Sequence, residues 1–231
     1  MTLPPGRTTN FIALVTLAVF IVTEMGGFVD RAAIIGGFIP ARVGGAVLPP
    51  GLGWTWLPLV VTPLTTTLLH GGWLHIGFNL LMLLFCGRQV EAVLGRWPTI
   101  ILYVVGAYAA AAAQWAVDPS GTSPMIGASG AISALMGTYA LLYSQRNVRP
   151  LGPIPASVIR VLWLAAGWIV LQTLLGFAMF GGGGTQIAVA AHVGGFIAGL
   201  LLTRPMLRWR FRSFRGAASS DRRDNSGSWP G

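Results

Sequence analysis

Six long apolar runs dominate the chain, and its polar positions gather between them instead of alternating with them. A helix needs about 20 mostly apolar residues to cross a bilayer, somewhat fewer where interfacial anchors flank it. The pattern predicts spans at Phe11–Phe28, Gly72–Gly87, Pro98–Val117, Ala128–Tyr143, Val158–Phe180 and Ile187–Leu202. Between the first two lies a long segment, Val29–Gly71, rich in glycine and broken by Pro40, Pro49, Pro50, Pro58 and Pro63. Its later part, Trp54–Leu69, is apolar enough for a seventh span, but two prolines inside it oppose a continuous helix. The expected element is an outer loop seated partly in the membrane interface, with Trp54 and Trp56 as headgroup-level aromatics.

Composition agrees with the pattern. Charged residues make up 9% and hydrophobic residues 54% of the 231 positions, whereas a soluble domain carries roughly 25% charged residues. The expected fold class is an all-α membrane protein, a six-transmembrane-helix bundle with a long outer loop between helices 1 and 2. The net charge of +9 would suit a nucleic-acid binder, but all 15 basic residues are arginines placed between and after the apolar runs. There they orient the protein, and no nucleic-acid partner is expected. With six spans and the N-terminus inside, every arginine except Arg31 and Arg42 falls on the cytoplasmic side. A seventh span would invert that bias. Both termini are therefore expected in the cytoplasm, with the protein in the plasma (inner) membrane. Residues 1–10 read as a cytoplasmic N-terminus, 11–207 as the six-span domain and 208–231 as a disordered basic tail held near anionic lipid. The first run continues to spanning length and carries only Arg7 before it, so no cleavable signal peptide is expected. Cys86, the single cysteine, excludes an internal disulfide.

That topology brings four polar residues to one depth. His75 and Asn79 fall in the outer half of the second span, Ser129 opens the fourth and His192 opens the sixth. Polar groups inside a membrane are costly and read as functional first. His75 and Asn79 stand at i and i+4 on one helix face, as two oxyanion donors would or as an interhelical hydrogen-bonded pair would. In Gly127-Ala128-Ser129-Gly130, glycines flank a serine at a helix start, where unsatisfied N–H groups face an anion. The same four residues also suit plain small-residue packing. His192 precedes Gly195 and Gly199, whose GxxxG spacing lets helix backbones approach closely. Small residues Gly130, Ser133, Ala134 and Gly137 on the fourth span offer a matching surface, and that contact would bring His192 to Ser129. The alternative for His192 is a neutral packing histidine. No carboxylate is placed to orient His192, so the expectation is a Ser-His dyad. His70, His75 and His192 are the only histidines, and none of the six acidic residues adjoins them. No metal site and no cofactor is expected.

The motifs His70-Gly-Gly-Trp-Leu-His75-Ile-Gly-Phe-Asn79, Gly127-Ala-Ser-Gly130 and Ala191-His192-Val-Gly-Gly195-Phe-Ile-Ala-Gly199 fall on the second, fourth and sixth spans. In that order they resemble the rhomboid family of intramembrane serine proteases, over about Trp54 to Leu202. Gly87-Arg-Gln-Val-Glu91, followed by Leu94-Gly95, is similar to the family's stretch at the end of the second span. The resemblance implies a rhomboid-like bundle with Ser129 as nucleophile and His192 as base. It implies an oxyanion site made by His75, Asn79 and the Ser129 N–H, with His70 as a structural residue of the outer loop. Single-pass transmembrane proteins are the substrates it implies, cut within or beside the spanning helix, with membrane lipid as the surroundings.

Two positions depart from that family's pattern. Trp56 is followed by Leu57 where the family often has arginine, and Ser133 stands where it usually has an aromatic that stacks on the histidine. For Ser133 the sequence allows a hydrogen bond to the imidazole or one to its own i−4 carbonyl. The competing functions are a rhomboid-like non-catalytic binder of transmembrane helices and a small transporter with a polar midplane site. A transporter would show internal repeats, and none is evident.

Overall fold

The protein is described from a computed structural model that covers residues 3–45, 57–143, 152–180 and 189–224, with 157, 171–180 and 213–224 as backbone only. Trp54 and Trp56 lie outside the described residues. Among the described residues every regular element is helical. The elements are α1 (Arg7–Met25), α2 (Val29–Gly36), α3 (Thr62–Thr65), α4 (Trp73–Met82), α5 (Arg88–Leu94), α6 (Arg96–Val117), α7 (Ser129–Leu142), α8 (Ala156–Phe180) and α9 (Val189–Asp224). Among the described residues, four segments are long and apolar enough to cross a membrane: Arg7–Met25, Trp73–Leu94, Arg96–Val117 and Val189–Arg212. Leu59–Leu68, Ser129–Leu142 and Val158–Val170 are shorter apolar helices. Large apolar side chains such as Phe11, Leu14, Trp163 and Leu201 face outward, as in a bundle whose solvent is lipid.

Helix α7 is the axis. From Ser129 to Thr138 every residue is buried, and α6 and α9 pack most closely around it. Its 14 residues give a length of about 21 Å, well short of a hydrocarbon layer of about 30 Å. Small residues let α9 reach α7: a methyl group on Gly195 would collide with the Gly130 carbonyl oxygen, and one on Gly199 with the Ala134 carbonyl oxygen. Gly137 meets the Phe196 carbonyl in the same way. Around this contact Leu83, Leu102, Ala107, Ile132, Leu135 and Phe196 form the core.

Several boundaries differ from the sequence reading, each for a local reason. The second span runs from Trp73 to Leu94 rather than ending at Gly87, because a π-helical turn over Leu83–Gly87 carries α4 into α5 without a break. Gly95, at φ +84°, ends it and opens α6 in one residue. The long outer segment is not plain loop. It holds α2, a 3-10 turn at Pro40–Gly44 and a chain of short turns from Leu59 to Leu68. The backbone after 207 stays helical to Asp224, where a disordered tail was expected. Arginine is a good helix former, and the span upstream has already nucleated the helix.

Helix α1 is fixed by a capping group from far along the chain. Its own N-cap, Gly6, has no side chain to bond the free N–H groups. Glu91 on α5 takes that role: Oε1 accepts from Thr8 N–H (2.9 Å), and Oε2 accepts from Thr9 N–H (2.8 Å) and the Thr9 hydroxyl (2.7 Å). A carboxylate there also complements the positive end of the helix dipole. Glu91→Gln replaces one accepting oxygen by an NH2 that faces N–H donors. It should cost about 1–3 kcal/mol, read as a lower thermal unfolding midpoint in detergent; an unchanged midpoint would show that the cap does not hold α1.

Candidate active site

The sequence-predicted residues converge on the first turns of three helices. Ser129 is the first residue of α7, His192 lies in the first turn of α9 and His75 in the first turn of α4. The Ser129 Oγ and His192 Nε2 are 2.8 Å apart, with Ser129 7% and His192 6% exposed. A serine hydroxyl bonded to an imidazole nitrogen is the arrangement used for nucleophilic catalysis. The close α7–α9 contact at Gly130, Gly195 and Gly199 sets that separation.

His75 reaches the same place from α4. Its Nδ1 accepts from the Gly71 N–H at 3.4 Å, which leaves the ring proton on Nε2. A Cβ at position 127 would lie 2.7 Å from His75 Nε2 and 3.7 Å from Ser129 Oγ. Both groups therefore border one small space, kept open because Gly127 has no side chain. The φ of +117° at Gly127 is a second reason for glycine there. Asn79, 3% exposed, donates from Nδ2 to the His75 carbonyl at 2.9 Å, an i−4 bond within α4. One Nδ2 proton and the Oδ1, which has no partner among the described residues, remain.

His70 stands behind the site rather than in it. Its Nε2 accepts a long bond from the Ala128 N–H (3.5 Å), and its ring meets that of His75 edge-on, with centroids 4.9 Å apart. Burial, helped by the neighbouring His75 ring, pulls the His70 pKa down to about 3, so the ring stays neutral.

Ser133 follows the second of its two expected courses. Its hydroxyl donates to the Ser129 carbonyl at 2.7 Å, so its single proton is not available to His192. Its oxygen accepts from the indole N–H of Trp168 on α8, also at 2.7 Å.

Sequence reasoning missed the groups that hold the turn before Ser129. Thr66 accepts from Gly127 N–H through its carbonyl (2.9 Å) and donates its hydroxyl to the Met125 carbonyl. Phe38 and Met125 pair in both directions, at 3.1 and 2.8 Å, and Ala41 N–H bonds the Gly121 carbonyl. Each partner lies dozens of positions away, in what reads as loop. Leu57, standing where an arginine is usual, has its carbonyl bonded by the Arg42 guanidinium at 3.1 Å.

Comparison with known proteins identifies the family. The rhomboid domain family model matches residues 59–209.

The chain belongs to the rhomboid family.

Three curated rhomboid proteins show the likeness directly. The rhomboid protease GlpG of Pectobacterium atrosepticum is 33% identical over 200 residues, covering 85% of this chain and 62% of that protein. The rhomboid protease GlpG of Serratia proteamaculans is 33% identical and that of Yersinia pestis 32%, each over 64% of this chain and 46% of the relative. This rhomboid thus spans about half to three-fifths of the length of those relatives. Its apolar helices make it a multi-pass integral membrane protein.

The neutral His70 gives a pH test of the outer-loop contact. Unfolded, this ring takes a proton near pH 6.5; folded, it does so only near 3. Its contribution is thus complete above the unfolded value and is lost as pH falls from there toward 3. His70→Asn should be less stable than wild type at pH 7 and lose less stability on going to pH 5, measured as thermal midpoints. Parallel loss in both proteins would remove His70 from the acid response.

Proposed function

We propose that this rhomboid is an intramembrane serine endopeptidase that cleaves transmembrane or juxtamembrane segments of single-pass membrane proteins with a Ser129–His192 dyad. The observation that carries the reading is the 2.8 Å contact between Ser129 Oγ and His192 Nε2 at the start of α7. His192 takes the hydroxyl proton as Oγ attacks the scissile carbonyl. The negative charge then grows on the carbonyl oxygen in the space beside Gly127. Donors for it are the Ser129 N–H at the α7 N-terminus, the His75 Nε2–H and the remaining Asn79 amide proton. The imidazolium returns its proton to the leaving amine, and water, activated by the same ring, releases the acyl group. No metal or cofactor enters this sequence. The bundle has six spans with both termini on the cytoplasmic side, so the site opens toward the outer face of the inner membrane.

The rhomboid resemblance implies small residues at the cut, and Gly127 keeps the space between His75 and Ser129 open. The names of the three relatives support proteolysis, each being a rhomboid protease.

A fluorophosphonate probe should label the wild-type protein at Ser129, and neither Ser129→Ala nor His192→Ala should be labelled. Both variants should lose cleavage of a model single-pass substrate, followed by gel in detergent, while keeping the wild-type thermal midpoint. Undiminished cleavage by Ser129→Ala would end the reading.

His75→Ala and Asn79→Ala address the oxyanion space. Each should lower kcat by on the order of a hundredfold with little change in KM, because such a donor acts in the transition state. The Asn79 effect should be the smaller, since one of its protons is held by the His75 carbonyl. Normal turnover with raised KM would assign the pair to substrate binding.

A further inference from the structure

The imidazole of His192 has one torsion that a hydrogen bond to Ser129 leaves soft, since rotation about the bond to an sp² ring is broad. A general base needs that ring held so that Nε2 keeps facing the nucleophile. Trp168 meets the ring. It lies on α8, is 3% exposed, and its ring contacts His192 at a centroid separation of 6.3 Å and an interplanar angle of 62°. That is edge-to-face geometry, within the attractive range for aromatic pairs.

The indole is itself tied down. Its N–H donates to Ser133 Oγ (2.7 Å), and Ser133 donates to the Ser129 carbonyl (2.7 Å). The contacts close on themselves: Ser129 carbonyl to Ser133, Ser133 to Trp168, Trp168 to His192, and His192 Nε2 to Ser129 Oγ. Four residues from three helices, all buried, form one circuit. Ser133 is completely buried and sits one turn below Ser129 on the face toward α9, where Gly195 packs on its Cβ. Its hydroxyl donates to the Ser129 carbonyl and accepts from the indole that meets the imidazole.

We propose that Trp168 is a positioning residue for the general base, holding the His192 ring edge-to-face while Ser133 serves as its anchor. The inference rests on the reading of Ser129 and His192 as a catalytic dyad. It goes beyond that reading by placing α8 in the site and giving Ser133 a task distinct from packing.

The test is kinetic, on the full chain in detergent, with Ser129→Ala as the inactive control. Trp168→Leu should lower kcat on the order of tenfold, the upper end of what one edge-to-face ring pair supplies, with KM within about twofold of wild type. Trp168→Phe keeps a ring and loses the anchor, so it should fall between the two and fold like wild type. Ser133→Ala should lower kcat several-fold in the wild-type background and have no further effect in Trp168→Phe, which has no N–H to anchor. Ser133→Tyr combined with Trp168→Ala puts a ring on α7 into the space vacated on α8 and should recover most of the lost kcat. Wild-type kcat in Trp168→Leu, a change in KM alone, or additive effects of Ser133→Ala and Trp168→Phe would each overturn the positioning role. In those cases Ser129→Ala would still be inactive and the dyad would stand. Wild-type protein that cleaves no better than Ser129→Ala would overturn the dyad and this inference together.

Discussion

Helices α7 and α9 can approach until backbone touches backbone only because glycine occupies the crossing on both sides. A side chain at Gly195 or Gly199 would strike a carbonyl of α7, and one at Gly137 would strike a carbonyl of α9. Without a hydrophobic effect between helices in lipid, close packing of small residues is what draws them together. The 2.8 Å separation of Ser129 and His192 is a consequence of that approach. An overpacked contact would spread the helices and part the two residues, because backbone cannot shift locally as a side chain can.

The approach fixes a distance but not an orientation. Ser129 is aimed by the turn ahead of it, and that turn is held from outside by segments of the long connection after α1. Phe38 pairs with Met125, Ala41 with Gly121, and Thr66 with both Met125 and Gly127. The buried threonines and Pro63 of Leu59–Leu68 thus have a mechanical purpose. Short helical turns there satisfy their own backbone groups and still leave the Thr66 carbonyl and hydroxyl to bond a second chain segment. His70 completes the support from below through the Ala128 N–H.

Much of this was legible in the residue order. Apolar runs predicted helices wherever a segment must satisfy its own backbone in hydrocarbon, and among the described residues four of them are long enough to cross a membrane. Small residues at helical spacing on the fourth and sixth runs predicted the α7–α9 contact, and the polar exceptions in the same runs pointed to Ser129, His192, His75 and Asn79. Less legible were the boundaries. The π-helical turn at Leu83–Gly87 and the helical continuation to Asp224 follow from context, not from a local stop or start signal.

The sequence by itself determined the class of the protein, the identity of its polar intramembrane residues and the small-residue seam that joins them. These are matters of composition and period, which any stretch of chain carries alone. Only the tertiary structure decided who supports whom: Glu91 capping α1, Thr66 holding Gly127, Arg42 bonding Leu57, and Trp168 lying between Ser133 and His192. A tryptophan in an apolar run reads as core or lipid-facing wherever it stands. Ser133 offered a donor with two candidate partners and an acceptor with none in view. Which groups meet depends on how α8 rotates against α7 and α9, and that rotation is set by packing across dozens of positions rather than by any residue's neighbours in the chain.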